Sequence, residues 1–300
     1  MPFTFSHPAA VLPFMPPLRD GRPHGPLIAS ALVAGSLAPD VPYFAQSLLP
    51  GCYGLGAATH RAWAVPTLDV AIAAGLVGAW HGLLREPLVA LLPEPWADRA
   101  EALTAPVGKR DPYDAAWFTA SAALGAFTHV GWDAFTHVGR AGERLLPALR
   151  REVAGVPLPL ALQWSTSAAG LGVLAVSCTR LLRGATPVPR RITLEPAVRR
   201  GATAFIGAGA ALGAWRRLVR ELPRGSSRTS LSGLVAIGTF GAGAGAAAAA
   251  TAYALTVRLA AGPAPRPDHE RPDHERSDHE RADHERPDCS PQPDRGPGTV

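Results

Sequence analysis

The chain has 300 residues, 47% of them hydrophobic and 18% charged, with a net charge of +5 and a mean hydropathy of +0.08. That average joins two unlike parts: from Pro265 onward ten acidic residues stand against six arginines, a tail of −4, while the body sets 23 Lys and Arg against 14 acids, a charge of +9. These figures exclude a simple acidic or disordered protein and put an apolar, basic-looped membrane protein first.

The apolar blocks follow in chain order. Residues 27–38 are too short to cross a bilayer, which takes about 20 apolar residues, and Pro39 closes them, so a buried or re-entrant helix is expected. Residues 65–84 form a span interrupted by Asp69 and His81 and flanked by Arg61 and Arg85. Residues 115–138 form a second span that ends in a dense polar set, and residues 158–182 a third, carrying Gln163 and Ser165-Thr166-Ser167. Residues 202–214 are a shorter candidate. Residues 231–261 are the longest block, rich in the Gly and Ala that let helices approach closely. Charge collects between the blocks, at 94–114, 140–152, 183–200 and 216–228, and no stretch alternates with the period of two that a sheet needs.

The expected fold is all-α: a polytopic membrane protein of about four to six membrane helices, with a large soluble helical bundle as the alternative. Arg-rich loops fall on both sides of the plausible topologies, so charge counting leaves the orientation open. Three regions are expected: a membrane-embedded domain over 1–182, further Gly/Ala-rich helices over 183–262, and a tail over 263–300. In the tail, Arg-X-Asp-His-Glu repeats from Arg266 through Glu285. A charged, Pro-containing pentad cannot bury a core, so a solvated disordered tail is expected, with loose metal binding by His269, His274, His279 and His284 as the lesser reading.

Several function classes drop out. Arg outnumbers Lys 28 to one without a basic run interleaved with aromatics, which argues against nucleic acid as a partner. Cys52, Cys178 and Cys289 lie far apart, which suits neither a disulfide framework nor a thiolate zinc site. Residues 1–20 lack the basic start and continuous apolar core of a secretory signal, so membrane entry is expected through internal segments. No Gly-x-Ser-x-Gly elbow or phosphate-binding loop is present.

The chemistry-bearing residues gather elsewhere. His129, Asp133 and His137 follow at four-residue steps, which on a helix puts them on one face about 6 Å apart, close enough for two to share a metal ion. Imidazole and carboxylate are ordinary ligands of zinc, manganese or iron. The alternative is a polar helix end with His–Asp hydrogen bonds. His7 and Asp40 each stand beside a proline that favours presentation from a loop, and His60 precedes the first full span. If residues 65–84 cross the membrane and 115–138 return, His7, Asp40, His60, His129, Asp133 and His137 all lie at one face. Asp69, about one turn inside the span, is placed as an auxiliary ligand or supporting partner. His81 lies some 25 Å below that face at about 1.5 Å per residue, and His24 has no obvious company.

The opening Pro2-Phe3-Thr4-Phe5-Ser6-His7-Pro8-Ala9-Ala10, then Gly35-Ser36-Leu37-Ala38-Pro39-Asp40, Asp69…His81…Arg85…Pro87-Leu88 and His129…Trp132-Asp133…Thr136-His137 resemble an actinobacterial membrane family of unknown function, DUF4184, over roughly residues 1–182. That family is more distantly similar to proteins described as membrane-bound metal-dependent hydrolases. The resemblance implies His7, Asp40, His60, His129 and Asp133 as metal ligands, with Arg61-Ala62-Trp63 departing from the pattern after the middle histidine. It implies a divalent metal, zinc first, and hydrolysis of a phosphoester or other lipid-linked substrate at the surface of the cell membrane, with Asp40 bridging metal or orienting water and His137 as a further ligand, an acid/base group or a substrate contact. The rival expectation is a non-enzymatic membrane protein in which the same residues form a structural or ion- and proton-handling network.

Overall fold

The computed structural model describes residues 3–19, 22–23, 25–106, 114–222 and 230–261; the pentad tail and His24 lie outside the described residues. The chain opens with a 3-10 helix, Thr4–Phe14, in which Pro8 and Pro13 each remove an amide donor. There follow α1 (Ala29–Leu37), a 3-10 turn (Ala38–Asp40), α2 (Val41–Ala45) and α3 (Tyr53–Thr59). Next, α4 (Leu68–Ala79) runs through a π-helical turn, Trp80–Leu84, into α5 (Arg85–Val89). The remainder is α6 (Trp96–Thr104), α7 (Asp114–Thr136), α8 (Ala141–Leu145), α9 (Leu158–Gly184), α10 (Pro196–Glu221) and α11 (Leu231–Ala261). Strand structure among the described residues is confined to two antiparallel ribbons of two residues per strand, so the fold is all-α.

Small residues set the core around α1. Ala31, Ala34 and Ala38 pack on Ala73 of α4 and Ala122 of α7. A Cβ at Gly35 would run into the carbonyl of Ala122, and one at Gly125 into the carbonyl of Leu32, so α1 and α7 cross backbone to backbone. The Ser121 hydroxyl accepts the Ile28 amide at 2.9 Å and ties the start of α1 to the same helix. On the other side, the start of α9 holds both the 3-10 helix and α7: the Phe3 amide donates to Ser167 Oγ at 3.0 Å, and the Trp132 indole donates to Thr166 Oγ1 at 3.0 Å.

An antiparallel pair, α10 and α11, completes this unit. Gly209 and Gly213 on one helix face Gly241 and Gly245 on the other, with a small residue every fourth position on both sides of the contact. The pair docks through Arg217, whose guanidinium donates to the Tyr43 carbonyl and to Ser47 Oγ and lies 5.3 Å from the Phe240 ring centre. At its far end Tyr253 donates to the Pro87 carbonyl at 3.1 Å, and Arg258 to the Leu83 carbonyl at 2.8 Å.

Three helices are long and apolar enough to cross a membrane: Leu68–Val89, Leu158–Gly184 and Leu231–Ala260. They coincide with three of the spans expected from sequence. At 23 and 26 residues α7 and α10 are also long enough, but they are not among the three. The physical reason is polarity, since α7 carries Asp114, His129 and Asp133 and α10 carries Arg199, Arg200, Arg216, Arg217 and Arg220. The expected buried helix of residues 27–38 is α1, nine residues long, with Ala31 and Leu32 fully enclosed.

Candidate metal centre

Four separate pieces of chain deliver the central residues. His7 comes from the 3-10 helix, Asp40 from the end of the 3-10 turn, His60 from the residue after α3, and His129 and Asp133 from successive turns of α7. All five are buried, His7, Asp40 and His129 completely. The α1–α7 crossing brings Asp40 beside α7, and the grip of α9 on Phe3 brings His7 there; its ring stacks on His129 at 3.6 Å and meets the Trp132 ring edge-on at 5.3 Å.

The spacing between ligand atoms fits a bound ion. His60 Nε2 lies 3.5 Å from Asp40 Oδ1 and 3.3 Å from Asp133 Oδ2, and His129 Nε2 lies 3.7 Å from each of the same two oxygens. Four ligands held tetrahedrally at about 2.0–2.2 Å from a metal stand about 3.3–3.6 Å apart. His7 Nε2, 3.5 Å from Asp133 Oδ1, adds a fifth donor. Two overlapping sets, His7/Asp40/His129 and His60/His129/Asp133, each keep their ligand atoms within 4.8 Å of one another and share His129.

Hydrogen bonds aim these atoms inward. His129 Nδ1 lies 2.7 Å from the Ser36 carbonyl and His60 Nδ1 2.7 Å from the Gly56 carbonyl. A carbonyl accepts only, so each Nδ1 carries a proton, and once the ring is neutral its Nε2 turns a lone pair to the cluster. Thr4 Oγ1 donates to Asp40 Oδ2 at 2.5 Å and leaves Oδ1 facing the two imidazoles. Both nitrogens of His7, Asp40 Oδ1, His60 Nε2, His129 Nε2 and Asp133 Oδ1 are buried without a hydrogen-bond partner among the described residues. Each such atom costs about 1–3 kcal/mol if left so, and a divalent cation could satisfy the ligand atoms of either set. Three imidazoles with two carboxylates suit zinc, manganese or iron, so the residues fit a divalent metal.

Charge in the site follows from burial and proximity. Burial, reinforced by neighbouring His129, pushes the His7 pKa well below the ordinary imidazole value, which keeps it neutral as a ligand must be. Burial also acts to lower His60, but the Asp133 and Asp40 carboxylates outweigh it and raise its pKa. Burial raises the Asp40 carboxyl against the opposing pull of His129. A dication at the centre would favour the ionised carboxylate and the neutral imidazole together.

The remaining sequence candidates take other positions. His137 lies at the rim: its Nδ1 donates to the Asp133 backbone carbonyl at 3.0 Å and stands 3.7 Å from Asp133 Oδ1. The side chain is 17% exposed, and its Nε2 is unpartnered and belongs to neither liganding set. Asp69, in the first turn of α4, is fully buried with both oxygens unpartnered, and belongs to neither set. His81 occupies the π-helical turn, likewise outside them. Sequence reasoning passed over Thr4 and the carbonyls of Ser36 and Gly56. A threonine among Phe and Pro carries no signal of its own, and backbone acceptors have no residue signature.

A family model described as "Domain of unknown function (DUF4184)" matches residues 1–255. No curated protein and no solved structure matches. The matched range runs through α9 and α10 and most of α11. The Gly/Ala-rich helices, expected to fall outside the resemblance that ended near residue 182, therefore lie within it, in keeping with their attachment to α2 through Arg217.

Proposed function

The chain belongs to the DUF4184 family, and on that footing we propose that it is a multi-pass protein of the cell membrane whose buried His/Asp cluster is a divalent-metal centre, zinc first, that hydrolyses a phosphoester or other lipid-linked ester at the membrane surface. The observation that carries this reading is the pair of overlapping buried sets, His7/Asp40/His129 and His60/His129/Asp133, whose ligand atoms lie at metal-ligand spacing with unpartnered nitrogens and oxygens among them. A divalent ion held there would polarise a phosphoryl or carbonyl oxygen and would lower the pKa of a water toward about 7.

The chain's own residues divide the remaining work. His7, His60, His129 and Asp133 would hold the ion, and the carbonyls of Ser36 and Gly56 keep two of the imidazoles in the ligating tautomer. Asp40, anchored through one oxygen by Thr4, has its other oxygen free to bind or to orient a water. At the rim, His137 keeps Nε2 unbonded while its opposite nitrogen is fixed to the Asp133 backbone, the arrangement of a proton donor to a leaving group or of a substrate contact. Three membrane-length helices support placement in a bilayer.

The test is metal content and turnover of detergent-purified protein. The reading expects bound metal in the wild type, none in Asp133→Ala or His129→Ala, and metal-dependent turnover within a panel of phosphoesters and lipid esters. Equal background metal in all three proteins would overturn it. Bound metal without turnover on the panel would favour the structural or ion-handling network instead.

A further inference from the structure

We propose that the cluster holds two divalent ions bridged by the Asp133 carboxylate, the second of them on His7. This rests on the metal-centre reading above and divides its ligands between two positions. The two liganding sets share His129, whose Nε2 has one lone pair, so they cannot both be filled as they stand. Ring orientation decides which ion takes it.

An ion bound to an imidazole lies near the ring plane, about 2.0–2.1 Å from the nitrogen, because the lone pair lies in that plane. The His60 and His129 rings stand at 74° with centres 5.3 Å apart, so their planes cross and their lone pairs can meet on one ion. Asp40 Oδ1 and Asp133 Oδ2, at 3.3 to 3.7 Å from these two nitrogens, complete a set of four. His7 is placed differently. Its ring is nearly parallel to that of His129, at 15° with centres 3.6 Å apart. Lone pairs of stacked rings run side by side, and a point between them lies far out of both planes. His7 and His129 therefore serve different ions.

The Asp133 carboxylate has one oxygen for each ion. Its Oδ2 faces His60 and His129, while Oδ1 stands 3.5 Å from His7 Nε2. That oxygen and both nitrogens of the fully buried His7 have no hydrogen-bond partner among the described residues. A second ion held by His7 Nε2 and Asp133 Oδ1 accounts for the two facing atoms. The ring separation of 3.6 Å, carried along parallel lone pairs, matches the roughly 3.5–4 Å between the ions of two-metal sites. With two protein ligands against four, the second ion binds more weakly and keeps positions for water. It is also the ion nearer the rim, since His137, 17% exposed, stands 3.7 Å from the same Oδ1.

The proposal is tested on full-length protein in detergent, stripped with a chelator and titrated with Mn²⁺, by counting bound ions and recording the electron paramagnetic resonance spectrum. The wild type is expected to take up two Mn²⁺ per chain, the second more weakly, and to give the spectrum of a magnetically coupled pair. His7→Ala should take up one, without coupling, and hold it within about tenfold of the tighter wild-type affinity. His60→Ala should weaken that tighter ion by more than about 100-fold. One Mn²⁺ per chain at saturation in the wild type would overturn the second ion and leave the metal centre standing. So would a single ion weakened as much by His7→Ala as by His60→Ala, the result expected of five donors around one ion. The wild-type count and coupling decide the matter even if a variant fails to fold. No bound Mn²⁺ in the wild type would sink the metal centre and the second ion together.

Discussion

At the end of the helices away from the metal centre, Arg85 sits 2.6 Å from Glu101 and 3.3 Å from Glu86, and Arg258 of α11 reaches the second oxygen of Glu86 at 3.4 Å. At the candidate metal centre, three imidazoles and two carboxylates, all buried, face one another, and six of their atoms, both nitrogens of His7 included, have no hydrogen-bond partner among the described residues. Both clusters place polar groups in an apolar body. In the first, fixed cations answer the anions, and Arg85 Nε alone is left buried without a hydrogen-bond partner among the described residues. The second gathers ligand atoms that could hold a divalent cation. A buried polar cluster that satisfies itself reads as structure, and one that converges its unsatisfied atoms on a point reads as a binding site.

The comparison can be broken most directly at its two centres. Asp133→Asn should abolish metal retention, with a loss of affinity of more than about 100-fold measured by competition with a chelator, while the protein stays folded by circular dichroism. Arg85→Met should do the reverse. It strands Glu101, leaves Glu86 to Arg258 alone, and should destabilise the fold by about 3–5 kcal/mol in denaturant titration, with metal per folded molecule unchanged. Loss of metal in Arg85→Met would show that the two ends are not independent.

Smaller changes sharpen the contrast. Gly125→Val pushes α1 from α7 and should cost about 1–3 kcal/mol, and metal affinity should fall with it because the Ser36 carbonyl that orients His129 moves away. Thr4→Val strands the second Asp40 oxygen, and should weaken metal about 10-fold and cost about 1–3 kcal/mol of stability. The last effect is in pH. His60 has a raised pKa without metal and must lose its proton to ligate, so uptake releases a proton and affinity should rise with pH until His60 is deprotonated, then level. Calorimetry in two buffers of different ionisation enthalpy checks this, and zero proton release would contradict the assignment of His60 as a ligand.

Part of this was legible in the chain. His129 and Asp133, four residues apart on an apolar helix, had to share a face, and the structure leaves both atoms pointing to one centre. The same spacing put His137 on that face but could not show that its ring turns back to the Asp133 carbonyl at 3.0 Å. His7, Asp40 and His60 are up to 126 residues from Asp133 in sequence and joined the list through family resemblance and one assumed topology. Their convergence depends on two glycines that let α1 and α7 touch and on a serine of α9 that holds Phe3.

Composition and period by themselves determined an all-α chain with membrane-length helices, because apolar length and the helical repeat are local properties. They also determined which residues have the chemistry to bind a metal. Only the tertiary structure decided which lone pairs meet, that Thr4 and two backbone carbonyls aim them, and that α7 carries its ligands in a helix more polar than the three spans. Those outcomes depend on contacts between segments distant in sequence, where a carbonyl or a missing Cβ matters more than residue type.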